Sequence, residues 1–299
     1  MKRAIVVLTL LALVIGGSII YVGRPRGETR VDRTTRGAPG VFDDNGLVSG
    51  GAGRAQFNAA GTRLVVLSSE GVGVVEEGKV RTITPAGAVI GEAAWLTGTT
   101  DIAVMQSPTA DRIALINLDG TETGFVPLSP SLEVGSGHGL VVDSERRRAV
   151  IGIERRPSLQ PLQLNLVMVD LRSGQSRDLT PPGGPDESGP FWLDESRVLY
   201  TRVEGSDSRA VVLNLADGTE DVIAVNARAV GTVSGAAIFV SNNRVAAEVG
   251  ADPQVLYTLK EGESVAAVDP VGGRLALLES TPTGTRLRAQ DVDQLDPAG

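Results

Sequence analysis

The chain has 299 residues, of which 41% are hydrophobic and 21% charged, and its formal net charge is −8. This composition excludes an intrinsically disordered protein, and the length suits two domains or one large all-β domain. The absence of Cys excludes a disulfide scaffold, thiol catalysis and a Cys-ligated zinc site. A single histidine, His138, excludes a multi-histidine metal centre.

Residues 4–22 form an uncharged apolar run preceded by Lys2 and Arg3. A helix of this length nearly spans a bilayer, so residues 1–22 predict one N-terminal transmembrane helix, here called the membrane segment. A cleaved signal peptide is the alternative, with Gly16 and Ser18 as small residues near a cleavage site. We favour an uncleaved segment, because the apolar run continues to Val22 without an Ala-x-Ala motif.

Residues 23–40 predict a flexible basic linker, because five arginines stand against two acidic residues and Val31 is their single large aliphatic residue. These arginines would place the C-terminal side of the membrane segment in the cytoplasm. The resemblance of the N-terminus to an export signal and the absence of Cys favour the opposite orientation, which we prefer. The excess of Arg over Lys suggests a GC-rich bacterial genome. We therefore expect a single-pass protein of a bacterial cell membrane with an extracytoplasmic domain.

Residues 41–299 form the predicted folded domain, and this domain is acidic. The whole chain carries −8, while residues 1–22 carry +2 and residues 23–40 carry +3, so residues 41–299 carry −13. A domain with this charge does not neutralise phosphates, which excludes nucleic acid as its partner.

Short apolar runs rich in Val, Ile and Leu, separated by turn residues, predict an all-β domain. The runs belong to a repeat in which an apolar anchor residue precedes a polar turn and a strand. The predicted anchor residues are Phe57, Trp95, Val142, Trp192, Val230 and Val268. Their mean spacing of about 42 residues is typical of a β-propeller blade. Six anchors predict six blades; the fifth unit is the least regular, so counts of five or seven stay open.

The first unit contains Phe-x-x-x-Gly-Thr-Arg-Leu at residues 57–64, and units close on Ile83-Thr84 and Leu179-Thr180. This pattern resembles the repeat of the TolB-like β-propeller family over residues 41–295, although the fuller Phe-Ser-Pro-Asp-Gly form is kept only in parts. The resemblance implies an extracytoplasmic six-bladed propeller that binds other proteins.

The last unit has three predicted strands, near residues 264–268, 274–279 and 286–292. A closed ring needs a fourth strand there, since an open blade edge is a site of aggregation. Residues 41–48 precede the first anchor and belong to no other unit, so we predict that they complete the last blade.

Motifs for chemistry are scarce. Ser136 and His138 lie in a glycine-rich segment without the strand-turn-helix context of a nucleophile elbow, so we expect no Ser-His-Asp triad. No nucleotide-binding glycine motif and no EF-hand spacing occurs, and we predict no cofactor and no metal. Paired carboxylates stay open as an alternative, because 36 acidic residues offer many pairs.

In an antiparallel blade, the loops between the second and third strands share a face with the connections between blades. The long predicted loops fall in these two classes, and loops on a rigid scaffold often carry function. We therefore expect a protein partner to dock on this face around the third blade. The candidate contact residues are Glu133, His138, Glu154, Arg155, Arg156, Asp186 and Glu187.

The sequence thus predicts a membrane-tethered extracytoplasmic propeller that acts as a protein-interaction module without catalysis. Its partner would be a protein of the cell envelope. The alternative is a carboxylate-dependent hydrolase or lyase with its site at the mouth of the propeller channel.

Overall fold

The computed structural model describes residues 47–48, 54–68, 71–76, 78–84, 90–96, 101–106, 112–128, 134–143, 145, 147–155, 163–249, 253–271, 273–282 and 284–292. The predicted membrane segment and linker lie outside these residues. Within the described ranges, no helix has the length and apolar character needed to cross a membrane.

The described residues form 24 β-strands in six four-stranded antiparallel sheets, the blades. Blade 1 contains β2 (Arg54–Phe57), β3 (Leu64–Ser68), β4 (Gly71–Glu76) and β5 (Lys79–Thr82). Blade 2 contains β6 (Ile90–Trp95), β7 (Ile102–Gln106), β8 (Arg112–Ile116) and β9 (Glu122–Pro127). Blade 3 contains β10 (Val134–Val142), β11 (Arg148–Arg155), β12 (Gln163–Asp170) and β13 (Ser176–Asp178).

Blade 4 contains β14 (Asp186–Trp192), β15 (Arg197–Glu204), β16 (Asp207–Asn214) and β17 (Glu220–Val225). Blade 5 contains β18 (Ala227–Val233), β19 (Ala236–Ser241), β20 (Arg244–Ala247) and β21 (Gln254–Thr258). Blade 6 contains β22 (Glu263–Val268), β23 (Arg274–Thr281), β24 (Gly284–Asp291) and β1 (Leu47–Val48). The predicted all-β, six-bladed β-propeller is confirmed.

The first strands of neighbouring blades contact one another around the ring, including β22 of blade 6 with β2 of blade 1. These first strands are therefore the innermost, and they surround a central channel. Because strands alternate in direction, connections 179–185, 205–206 and 259–262 emerge at one end of the channel, which we call the long-loop face. Turns 58–63, 171–175 and 193–196 emerge at the other end, the short-turn face.

The core lies between the blades. One hydrophobic cluster of described residues occupies each of the six blade–blade interfaces. Between blades 1 and 2, for example, Val65 packs with Trp95 and Ile102. Buried β-branched and Leu side chains on both faces of each sheet explain why the predicted strands are continuous apolar runs rather than alternating ones.

The ring closes as the sequence predicts. β1 pairs antiparallel with β24, with Leu47 opposite Arg288 and Val48 opposite Leu287. The chain segment that precedes the first anchor thus supplies the outermost strand of the last blade, and this covers an edge that would otherwise be open. The rest of the predicted closure segment, residues 41–46, lies outside the described residues.

Five of the six predicted anchor residues occupy one structural position. Trp95 lies opposite Ile102 in the next strand, and the same pairing joins Phe57 to Leu64 and Trp192 to Val198. Val142 and Val268 hold the equivalent positions opposite Ala149 and Leu275.

The fifth predicted anchor, Val230, is wrong by two residues. Thr232 is the residue opposite Ala237, which is the equivalent pairing in blade 5. A register shift between Ala229 and Gly231 adds a residue to β18, and the following turn has only Ser234 and Gly235, both at positive φ. A bulge with a shortened turn displaces the apolar pattern without changing the blade.

The turn that follows the anchor is held by a side chain. The Asn58 side-chain oxygen accepts hydrogen bonds from the backbone N–H groups of Thr62 and Arg63, at 2.8 and 3.1 Å. Asp143 and Asp194 do the same in blades 3 and 4. The Asn or Asp of the repeat is therefore explained by turn formation.

The Thr at the end of a repeat unit also has a structural role, through a hydrogen bond of its side chain to the backbone. The Thr180 hydroxyl accepts a hydrogen bond from the backbone N–H of Leu166 at 3.0 Å, and Thr84 accepts one from Val72 at 2.8 Å. This bond fixes the end of the fourth strand to the third. Asn58, Thr84 and Thr180 of the TolB-like pattern thus have structural roles.

Several candidate contact residues lie in strands rather than in loops. His138 lies within β10 and Glu154 within β11, while Asp186 and Glu187 begin β14. The glycine-rich segment around His138 suggested a loop, but two register shifts let it pair with β11 as an innermost strand. Glycines are frequent at such bulges, because the backbone there takes unusual angles and approaches its neighbours closely.

Candidate functional site

The long-loop end of the channel is lined by one polar side chain from each of the six innermost strands. These side chains form a ring, here called the mouth ring, and they surround a cavity of about 390 Å³. In blade order the mouth ring consists of Arg54, Glu92, His138, Ser188, Arg228 and Ser264. The wall below it is mostly apolar and includes Val65, Leu140, Phe191, Val230 and Val265.

Bulges in the innermost strands shape this cavity. In β14 the register shifts between Ser188 and Phe191, and all four residues from Ser188 to Phe191 line the cavity. Similar shifts occur in β6, β10, β18 and β22. Consecutive residues of these bulged strands line the cavity, and so do Arg54 to Gln56 of β2, whose register is regular.

Arg54 and Glu92 form an ion pair across the interface of blades 1 and 2. The Glu92 side chain is 4% exposed, while that of Arg54 is 53% exposed. Burial of part of the guanidinium lowers the pKa of Arg54. The positive charge of Arg54 thus neutralises the negative charge of Glu92 at this side of the mouth ring.

His138 lies next to this pair and to a second carboxylate. Its Nε2 atom is 3.7 Å from Oε2 of Glu154 on the neighbouring strand. Burial and the positive charge of Arg54 lower the pKa of His138, and they outweigh the opposite effects of Glu154 and Asp186. His138 is therefore neutral at pH 7.

Glu187 belongs to a separate buried network in blade 4. Arg202 donates to Glu187 Oε1 at 2.8 Å and to Glu220 Oε1 at 2.6 Å. Tyr200 also donates to Glu220 Oε1, at 2.8 Å. Burial raises the pKa of Glu187, although the hydrogen bonds from Thr180 and Arg202 oppose this effect. These contacts tie three strands together beside the cavity, not inside it.

A similar network joins blades 5 and 6. Arg288 contacts Glu263, and it donates to the Tyr257 hydroxyl at 3.0 Å. The other Glu263 oxygen accepts hydrogen bonds from Tyr257 at 3.0 Å and from the Lys260 backbone at 2.8 Å. The Glu263 carboxylate is thus fully engaged by its neighbours.

The structure brings three of the candidate contact residues together. His138 and Glu154 are in contact, and Asp186 lies close enough to influence the His138 charge. Asp186 accepts a hydrogen bond from the Leu164 backbone at 3.0 Å, which ties it to blade 3. Glu187 pairs with Arg202 instead.

The other three candidates are described in part or not at all. Arg155 ends β11, where its backbone pairs with Gln163. Glu133 and Arg156 lie outside the described residues. Their proposed role as partner contacts stays a prediction.

Sequence reasoning missed five members of the mouth ring, since it selected His138 alone. A signal for them exists: each member lies three or four residues before the residue at the anchor position, as Glu92 does before Trp95 and Ser264 before Val268. The variable spacing reflects the bulges, which is why a fixed pattern could not find them.

Among the described residues, no group of three or more His, Asp or Glu side chains is arranged to hold a metal ion.

Comparisons with known proteins give fold relatives only. No protein-family model matches the chain, and no curated protein matches it. Solved structures do match. A chain of a nidogen/laminin complex aligns with a TM-score of 0.55 at 14% identity, over 78% of this chain and 88% of that one. An oligogalacturonate lyase in complex with manganese aligns with a TM-score of 0.56 at 13% identity, over 79% and 75% of the two chains.

TolB from Acinetobacter baumannii aligns with a TM-score of 0.51 at 13% identity, over 82% of this chain and 64% of TolB. At these identities the likeness concerns the fold alone. The chain thus has a TolB-like six-bladed β-propeller, a fold that is also found in an oligogalacturonate lyase and in a chain of a nidogen/laminin complex.

Proposed function

We propose that this chain is a protein-interaction module, tethered to a bacterial membrane by residues 4–22, with its propeller outside the cytoplasm. Its partner docks on the long-loop face and no reaction is catalysed. The proposal is supported most by the state of the carboxylates at this face. Glu92, Glu187 and Glu263 each engage an arginine, and Glu154 lies against His138. A general acid or base needs a carboxyl group that is free to exchange a proton with substrate.

The fold relatives also favour a protein partner. One of them was solved as a complex of nidogen with laminin. A propeller presents a broad, rigid face, and the loops on such a scaffold commonly supply the contacts for binding.

Site-specific photo-crosslinking in intact cells tests the docking face. A photoreactive residue at Ser206, in the β15–β16 turn of the long-loop face, should capture the partner. The same residue at Asp217, in the β16–β17 turn of the same blade, should not. Both turns are exposed, so they differ chiefly in the face they occupy. Capture from Asp217 alone would place the partner on the short-turn face and overturn the proposal.

Reversal of the charges of Arg155 and Arg156 gives a second test. We expect the double variant Arg155→Glu/Arg156→Glu to weaken capture of the partner without lowering Tm. Unchanged capture would remove these two residues from the docking surface.

The alternative function is a carboxylate-dependent hydrolase or lyase. An oligogalacturonate lyase shares the fold, and burial raises the pKa of Glu187 as it does for many catalytic acids. Incubation with oligogalacturonate, followed by ultraviolet absorbance of the unsaturated product, tests it. We expect no product. If the unaltered chain forms product and Glu92→Gln or Glu187→Gln does not, the chain is a lyase and the proposal of a non-catalytic module is wrong.

A further inference from the structure

The mouth ring has two unlike halves. Blades 1–3 contribute the ion pair of Arg54 and Glu92 and the neutral His138, whose imidazole lies against Glu154. Blades 4–6 contribute Ser188, Arg228 and Ser264. We call these three residues the donor arc, since hydroxyl and guanidinium groups all donate hydrogen bonds.

The donor arc is continuous. β18, which carries Arg228, contacts β14 on one side and β22 on the other, so the arginine lies between the two serines around the ring. In a six-bladed ring, blade 5 stands opposite blade 2. The donor arc therefore faces the neutralised Arg54–Glu92 pair across the channel.

None of the three side chains has a hydrogen-bond or ion-pair partner among the described residues. Arg228 is exposed, and its guanidinium carries a charge that no described carboxylate neutralises. Three other arginines near this end are engaged: Arg54 with Glu92, Arg202 with Glu187 and Arg288 with Glu263. An unpaired cation between two hydroxyls is a natural site for an oxygen acceptor with a negative charge.

The cavity beneath the arc has the size and lining of a small-molecule site. Its volume of about 390 Å³ lies at the lower end of the range of ligand pockets. Val65, Val230, Val265 and Leu278 supply apolar surface next to the arc. A ligand that fits both parts has a negative oxygen group at one end and an apolar body.

We propose that the donor arc binds the carboxylate of a small organic acid whose apolar body occupies the channel cavity. The planar guanidinium of Arg228 would bind the two carboxylate oxygens, and Ser188 and Ser264 would donate to them from either side. A monocarboxylate suits the site better than a phosphate dianion, because Arg228 is the one cation of the donor arc and matches a single negative charge. This site is independent of the proposed docking of a protein partner.

Isothermal titration calorimetry on the purified full-length chain tests the proposal with phenylacetate and its neutral isostere phenylacetamide as probes. We expect phenylacetate to bind and phenylacetamide to bind at least about tenfold more weakly. Arg228→Gln should weaken phenylacetate binding at least about tenfold, and Arg228→Lys should restore part of the loss. The double variant Ser188→Ala/Ser264→Ala should weaken it several-fold, and it replaces the arginine variant if that one fails to fold.

Arg177→Gln is the matched control, since Arg177 is an exposed arginine on the outermost strand of blade 3. It should leave binding unchanged. Absence of phenylacetate binding up to about 10 mM, or equal binding by Arg228→Gln and the unaltered chain, would overturn the proposal. Binding of inorganic phosphate as strong as that of phenylacetate would overturn the preference for a monocarboxylate.

Discussion

At the residue scale, Arg202 is the cation that stabilises the buried carboxylate of Glu187. The Glu187 side chain is 2% exposed and that of Arg202 is 17% exposed. Arg202→Met removes the charge and leaves a buried carboxylate without its cation. We expect it to lower the free energy of unfolding by about 3 kcal/mol, as measured by urea denaturation. Arg177→Met should change it by less than about 0.5 kcal/mol. Equal effects of the two variants would mean that the network contributes nothing to stability.

His138 gives the fold a pH dependence with a defined sign. Its pKa in the folded chain is lowered below 6.5 by burial and by Arg54 on β2, against Glu154 on β11 and Asp186 on β14. In the pH range between the lowered pKa of His138 in the folded chain and its ordinary pKa in the unfolded chain, the imidazole is more often protonated in the unfolded chain. The free energy of unfolding should therefore fall as the pH falls below about 6.5.

The comparison of unaltered chain and His138→Gln isolates this contribution. Urea denaturation at about pH 7.5 and about pH 5.5 should show a larger loss of stability on acidification for the unaltered chain. A larger loss for the variant would reverse the sign and show that Glu154 dominates over Arg54.

At the scale of single strands, glycines set how closely the innermost strands approach their neighbours. A Cβ atom on Gly152 in β11 would lie 2.5 Å from the His138 carbonyl oxygen in β10. Because that atom is backbone, the strands must move apart. We expect Gly152→Ala to lower the free energy of unfolding by about 1–3 kcal/mol, measured by urea denaturation.

Gly124→Ala on β9 is the control for this effect. The nearest atom to its added Cβ is Leu115 Cδ1 at 3.8 Å, which is ordinary contact. It should change stability by less than about 0.5 kcal/mol. A loss as large as that of Gly152→Ala would point to strand propensity instead of close approach.

The closing strand can be tested by deletion. β1 covers the edge of β24 through the pairs Leu47–Arg288 and Val48–Leu287. Deletion of residues 41–48 should lower the free energy of unfolding by at least about 2 kcal/mol, which corresponds to a fall in Tm of roughly 4–8 °C. Deletion of residues 24–36 should leave Tm unchanged. An unchanged Tm after the first deletion would show that closure is not required.

The blades could be predicted from the sequence because the anchor residue, the turn-forming Asn or Asp and the closing Thr each satisfy a local requirement. Trp95 and Trp192 pair as their patterns indicate. The mouth ring could not be predicted in the same way. Its members are brought together by ring closure, and bulges vary their distance in sequence from the anchor position. His138 was selected because it is the sole histidine, whereas nothing local distinguishes Arg228 from other arginines.

At the scale of the whole molecule, the six interface clusters form a closed circle. Each blade is held on both sides, so removal of packing at one interface should destabilise the whole ring and not one blade. Leu277 is fully buried in the cluster between blades 5 and 6. Leu277→Ala should therefore lower the free energy of unfolding by about 2–5 kcal/mol in one cooperative transition.

The two tryptophans report on interfaces remote from that substitution. Trp95 packs between blades 1 and 2, and Trp192 packs between blades 3 and 4. The variants Trp95→Phe and Trp192→Phe each keep a single tryptophan as a fluorescence probe. When Leu277→Ala is added to either variant, the unfolding midpoint measured by fluorescence should shift by the same amount as the midpoint measured by circular dichroism, because a closed ring unfolds as one unit. In an open array of repeats, each interface would respond mainly to its neighbours. In the Trp192→Phe variant, Leu277→Ala could leave the denaturation midpoint of Trp95 fluorescence unchanged while it lowers the midpoint measured by circular dichroism. That result would mean that the blades unfold independently.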